Sequence, residues 1–242
     1  MRPARLNPAV VLVAHGSRDP RAAHATSALA AAVGRFRPSW DVHASYLDHA
    51  GPRPLDVLTA LPGRRVVVVP LLLTSAYHGR VDIPAVLEAA ADLPVDVTLT
   101  EVLGGGRAPL VIDALVRRLP ATPVDALVLA AAGTRDPAAR ATVEWAANAL
   151  SARLSVPCTA AYASASGPTP GAAVDHLRAS GARRVGVAAY FLAPGYLYDV
   201  AERSARDAGA VSVAAPLTDA PELVRLVAAR VDAAAVATSV AA

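Results

Sequence analysis

Apolar runs of strand length alternate along this chain with alanine-rich stretches of helical spacing. In the first half the runs predict strands at Ala9 to Ala14, Asp41 to Tyr46, Arg65 to Leu73 and Asp96 to Val102. Helices are predicted near 20–35, 52–61, 83–92 and 107–118. Runs such as VVVVPLLL lack polar alternation, as expected of strands covered on both faces in a parallel sheet. The order repeats in the second half, with strands near 124–131, 157–163, 184–192 and 211–215. The predicted class is α/β, with two tandem halves, each a parallel sheet of about four strands flanked by helices. Leu119 to Pro123, which contains two prolines, is the natural boundary and divides residues 1–121 from 122–242.

The repetition extends to the letters. VLVAHGSRDPRAA (11–23) returns as VLAAAGTRDPAAR (128–140), so that Gly16, Arg18, Asp19 and Pro20 recur as Gly133, Arg135, Asp136 and Pro137. VHASYLDHAGPRP (42–54) returns as CTAAYASASGPTP (158–170), and RRVVVVPLLLTSAYHGRVDIP (64–84) as RRVGVAAYFLAPGYLYDVAER (183–203), with a short deletion. What the copy loses is specific. His15 becomes Ala132, Asp48 becomes Ser164, His49 becomes Ala165, and His78 has no counterpart.

Composition narrows the classes. A chain of 242 residues that is 54% hydrophobic buries a substantial core. The apolar runs are too short to span a bilayer, and no apolar leader opens the chain, so a soluble cytoplasmic protein without a membrane partner is expected. Net charge is +3 and the basic residues, all arginine, are interleaved with acids, which argues against a nucleic-acid partner. The single cysteine, Cys158, excludes an internal disulfide and a cysteine-rich metal cluster. Arginine forks do suit carboxylate ligands.

Open parallel sheets bind ligands outside the carboxyl ends of their strands, where strand order reverses. His15 follows the first strand, Asp48 and His49 the second, and Tyr77, His78 and Arg80 the third, so these groups are expected to converge on one sheet edge. A histidine at a strand end is commonly a hydrogen-bonding loop residue. Selective loss from a copy that keeps Gly, Asp and Pro points instead to chemistry. Two imidazoles and a carboxylate, as from His15, His78 and Asp48, suit a borderline divalent cation such as iron, cobalt, nickel or zinc, and an imidazole equally serves as a base. His24 and His43 read as surface or core residues, and Asp19-Pro20, being duplicated, as a helix start. Gly104 to Gly106 matches no phosphate-binding pattern and reads as a flexible turn. AHGSR superficially resembles the histidine phosphatases, which place Arg before the histidine where this chain has Ala14.

HGSRDP after one strand, SYLDHA-x-P after the next and VVPLLLTSAYHGRVDIP at the third closely resemble the class II chelatases, specifically the sirohydrochlorin chelatase family. The first half carries the motifs intact and the second is a degenerate copy. The resemblance implies flavodoxin-like halves facing a central cleft, the second forming its opposite wall. It implies a lyase that inserts a divalent metal into the tetrapyrrole sirohydrochlorin without ATP or an organic cofactor. With Fe²⁺ the product is siroheme, and Co²⁺ or Ni²⁺ are the other candidates. Cobalt insertion on a cobalamin route, or non-catalytic tetrapyrrole or metal carriage, are the alternative functions. The family's active-site histidines correspond to His15 and His78, here expected as catalytic residues and metal ligands. Asp48 stands where the family often has Glu, with His49 a substitute ligand. Arg18, Arg80, Tyr77 and Ser17 are the candidates for holding substrate, whose carboxylates arginine can grip. Leu72 and Leu73 are expected on one apolar wall, and Tyr190, Phe191 and Tyr196 on the other. With both halves in one chain, a monomer suffices.

Overall fold

A computed structural model of the chain describes residues 8–74, 83–105, 107–164 and 167–240, as backbone alone from 237 onward. The first half contains β1 (Ala9–Ala14), α1 (Pro20–Phe36), β2 (Asp41–Tyr46), α2 (Pro54–Thr59), β3 (Arg65–Pro70), α3 (Ile83–Ala89), β4 (Asp96–Leu99) and α4 (Pro109–Arg118). The second contains β5 (Ala126–Ala131), α5 (Pro137–Leu154), β6 (Cys158–Tyr162), α6 (Pro170–Ala179), β7 (Val185–Tyr190), α7 (Tyr196–Asp207), β8 (Ser212–Val213) and α8 (Pro221–Val240). The strands form two parallel four-stranded sheets, ordered β2-β1-β3-β4 and β6-β5-β7-β8.

The repeat holds at the level of register. Val11 of β1 lies opposite His43 and Val68, and its counterpart Val128 of β5 lies opposite Thr159 and Val187. Both central strands are almost wholly buried, which explains their unbroken apolar runs. Strand order reverses between β1 and β3, the place where open parallel sheets in general bind ligands.

The helix starts are built as their duplicated Asp-Pro pairs predict. Asp19 accepts the Arg21 N–H at 2.9 Å, and Asp136 accepts those of Ala138 and Ala139 at 2.8 and 3.1 Å, each with proline following in the first turn. The third strand is shorter than the apolar run suggests. Past Pro70, Leu71 still donates to Val13 O, but the Leu72 N–H turns back to Pro70 O at 2.9 Å, so Leu72 and Leu73 lie beyond the ladder. Gly104 is no loose turn. Its N–H donates to Leu72 O at 3.0 Å, and a Cβ there would stand 1.8 Å from Leu73 O.

Two compact units emerge, residues 1–105 with 223–242 and residues 106–222. Their limits differ from the point at which the repeat restarts. The helix that closes each repeat belongs to the unit built on the other repeat: α4 to the second, α8 from Leu223 onward to the first. Matching arginines secure the exchange. Arg118 of α4 donates to Leu217 O and pairs with Asp219, both at 3.0 Å, while Arg230 of α8 donates to Gly105 O at 2.9 Å and pairs with Glu101 at 2.7 Å. Within the second unit Arg117 also grips the buried Glu222 with both carboxylate oxygens within 2.9 Å. Among the described residues no helix is long and apolar enough to cross a membrane.

Candidate functional site

Two loops of the first sheet are fused just past the strands. Leu47 N–H donates to Ala14 O and Asp48 N–H to His15 O, both at 2.9 Å, which extends the β1–β2 ladder into the loops. Gly16, at φ +92°, makes the contact possible, since a Cβ there would lie 1.8 Å from Asp48 O. The second half repeats the device with Ala163 and Ser164 donating to Ala131 O and Ala132 O, and Gly133 at φ +102° against Ser164 O. The Ser17 hydroxyl accepts the Asp19 N–H at 3.1 Å, as Thr134 does for Asp136. Ser17 therefore has a scaffold role shared by both repeats.

The shared lock yields a test of the backbone argument. Gly16→Ala is expected to destabilise the protein by about 1–3 kcal/mol from backbone strain alone, before any displacement of the Asp48 loop. Gly34→Ala, inside α1 with open space where its Cβ would stand, is expected to stabilise it by roughly 0.5–1 kcal/mol. Denaturant unfolding of the two variants reads both signs.

On this frame, among the described residues, the first half carries His15 and Asp48 where the second carries Ala132 and Ser164. The His15 and His49 rings stand nearly perpendicular, with centroids 6.5 Å apart. His49 adopts φ +61°, its N–H donating to Asp48 Oδ1 at 2.8 Å while its Nε2 sits 3.3 Å from Oδ2. That backbone N–H holds the Asp48 carboxyl below the usual carboxylate range, and the charges of His49, Arg53 and His15 act in the same direction. Asp48 is thus an ionised, half-exposed acceptor beside two imidazoles. The structure joins His15, Asp48 and His49 at one edge, and exposed Arg18 follows on the same loop as His15. Among the described residues no three His, Cys, Asp or Glu side chains form a ready metal cage. Tyr77, His78 and Arg80 lie outside the described residues.

Several expectations change in detail. Tyr190 and Phe191 line no open wall: they are 5% and 8% exposed, and Phe191 packs edge-on against Tyr198. Tyr190 ends β7 and Phe191 follows it into the core cluster, and burial pushes the Tyr190 phenol up. Tyr196 is 76% exposed. His24 is exposed on α1, and half-buried His43 pairs with Asp41 at 2.9 Å. The side chain that pattern reading passes over is Arg53. It donates to Leu47 O and places Nη2 3.7 Å from Asp48 Oδ1. Its signal was present in the repeat, where Arg53 faces Thr169.

Known proteins resemble the whole of this arrangement. The family model described as CbiX matches residues 9–122 and again 126–234. A curated sirohydrochlorin cobaltochelatase of Methanococcoides burtonii is 27% identical over 82 residues, which is 33% of this chain and 63% of that protein. The chain thus spans less than two thirds of this relative. The structure of SirB from Bacillus subtilis with Fe³⁺ superposes with a TM-score of 0.78 at 23% identity, over 96% of this chain and 97% of that one. The cobalt complex of the sirohydrochlorin chelatase SirB from Bacillus subtilis subspecies spizizenii gives 0.75 at 21%, over 93% and 94%. These likenesses establish the tandem fold. Because the family pattern is met twice and over nearly the full length, the chain belongs to the CbiX family.

Proposed function

We propose that this protein is a sirohydrochlorin chelatase that inserts a divalent metal into the macrocycle, without ATP or an organic cofactor, at a single site in its first half. The observation that carries this reading is His15 held beside Asp48 and His49 on two interlocked loops. The second half of the same family fold keeps the lock and lacks the side chains.

Metallation removes two pyrrole protons as the cation enters, so the site needs a base close to a group that holds the metal. The imidazole of His15 is the proposed base, with His78 its partner by sequence. The Asp48 carboxylate, kept ionised by the His49 N–H, holds positive charge at the loop, and His49 is the second local ligand. Arg18 and Arg80 are proposed to meet substrate carboxylates and Tyr77 the macrocycle, while Ser17 acts through its bond to Asp19.

Fe²⁺ is the proposed metal substrate. Co²⁺ is the second reading, favoured by the cobaltochelatase name of the curated relative. Imidazole and carboxylate separate these ions weakly, so supply and geometry decide. Anaerobic absorbance assays of sirohydrochlorin metallation test both levels. Turnover well above the protein-free rate is expected, faster with Fe²⁺ than with Co²⁺ at equal concentration. Metallation at the protein-free rate would leave a tetrapyrrole or metal carrier, and faster turnover with Co²⁺ would select the second reading.

A further inference from the structure

One side chain changes between the repeats together with Asp48. In the second half the residue before α6 is Thr169, whose hydroxyl accepts the Ala172 N–H at 3.2 Å as an ordinary helix cap. In the first half the same position is Arg53. Its backbone N–H is met by Asp56 Oδ2 at 3.0 Å, and its guanidinium, which has no acceptor, does not cap α2. It reaches back across the loop instead, with Nη1 donating to Leu47 O and Nη2 lying 3.7 Å from Asp48 Oδ1. Where the carboxylate has become Ser164, the arginine has become a capping threonine. Ser164 turns its hydroxyl onto Ala132 O at 2.7 Å, and that loop is closed without a fork.

We infer that Arg53 is a positioning residue for metal capture, fixing the Asp48 carboxylate and its loop beside His15. The inference rests on the chelatase reading above. Stability does not account for the pair, because Asp48 and Arg53 are each about half exposed, and ion pairs of that kind contribute little to folding. What the fork supplies is geometry. It ties the carbonyl before Asp48 and one carboxylate oxygen to the start of α2, while the His49 N–H binds that same oxygen at 2.8 Å. The other oxygen, Oδ2, lies beside the His49 ring. Removing a group that orients a ligand characteristically weakens metal affinity by about 10–100-fold.

Arg53→Thr is the discriminating variant, since threonine restores the cap used in the other half and removes only the fork. Calorimetric titration with Co²⁺ alone and steady-state metallation of sirohydrochlorin are compared with wild type. The Kd for Co²⁺ and the KM for metal are expected to rise about tenfold, with kcat and the thermal midpoint nearly unchanged. In an Asp48→Asn background the same substitution is expected to add nothing, because the carboxylate it positions is gone. An unchanged KM and Kd, or a full effect in both backgrounds, would overturn the assignment of Arg53 while leaving the chelatase reading in place. A wild-type protein that metallates no faster than buffer would overturn both.

Discussion

His15→Ala is expected to lower the rate of metal insertion by at least about a hundredfold, the scale set by losing a positioned proton acceptor, while leaving the fold intact. The side chain is exposed at a loop, and its backbone contact with Asp48 runs through the carbonyl, which alanine retains. Stability should therefore change by no more than about 0.5 kcal/mol, as for an ordinary surface substitution. The second repeat shows that this loop closes with alanine at the same position, since Ala132 O accepts from Ser164 at 3.0 Å. His24→Ala, one turn into α1, is the matched control and should stay near wild-type turnover. Anaerobic turnover with unfolding curves on the same preparations makes the comparison, and a His15→Ala enzyme with wild-type rate would remove this histidine from the chemistry.

The second large effect concerns folding. Ending the chain after Glu222 is expected to unfold the first unit, although no residue of the first repeat is touched. Leu223, Val224, Leu226, Val227 and Val231 of α8 are each no more than 7% exposed and belong to the unit containing β1 to β4. A buried leucine or valine contributes about 1.5–3 kcal/mol, so losing all of them removes roughly the whole net stability of a domain, about 5–15 kcal/mol. The pairs Arg230–Glu101 and Arg37–Asp232 disappear as well. Hydrogen exchange of the truncated chain should show protection lost over 9–70 and kept over 126–213. Full protection of β1 in the truncated chain would contradict the assignment of α8 to that unit.

β1 and α1 coincide closely with their predicted limits because each is a uniform apolar or helical run with sharp ends, at Gly16 and at the Asp19-Pro20 cap, while the mixed strand β2 matches because the repeat sets its limits. Past Pro70 the apolar run continues while the backbone turns, so β3 is overestimated: a half-buried apolar turn reads like more strand. Tyr190 and Phe191 mislead for the same reason, since an aromatic at a strand end suits a ligand wall and a core equally. The convergence of His15 with Asp48 and His49 was legible because strand ends on one parallel sheet share an edge. Arg53 is legible only through the repeat, where Thr169 replaces it, because a lone arginine on a loop otherwise reads as a surface charge.

The helix exchange lies furthest from the sequence. Periodicity shows which side of α4 or α8 is apolar, but each repeat offers a nearly equivalent sheet, and nothing local selects between them. The second repeat has alanine where the first has His15 and His49, yet it is both donor of α8 and host of α4. A deletion of residues 122–242 would therefore take α8 away with the second repeat and strip the first unit of its own closing helix.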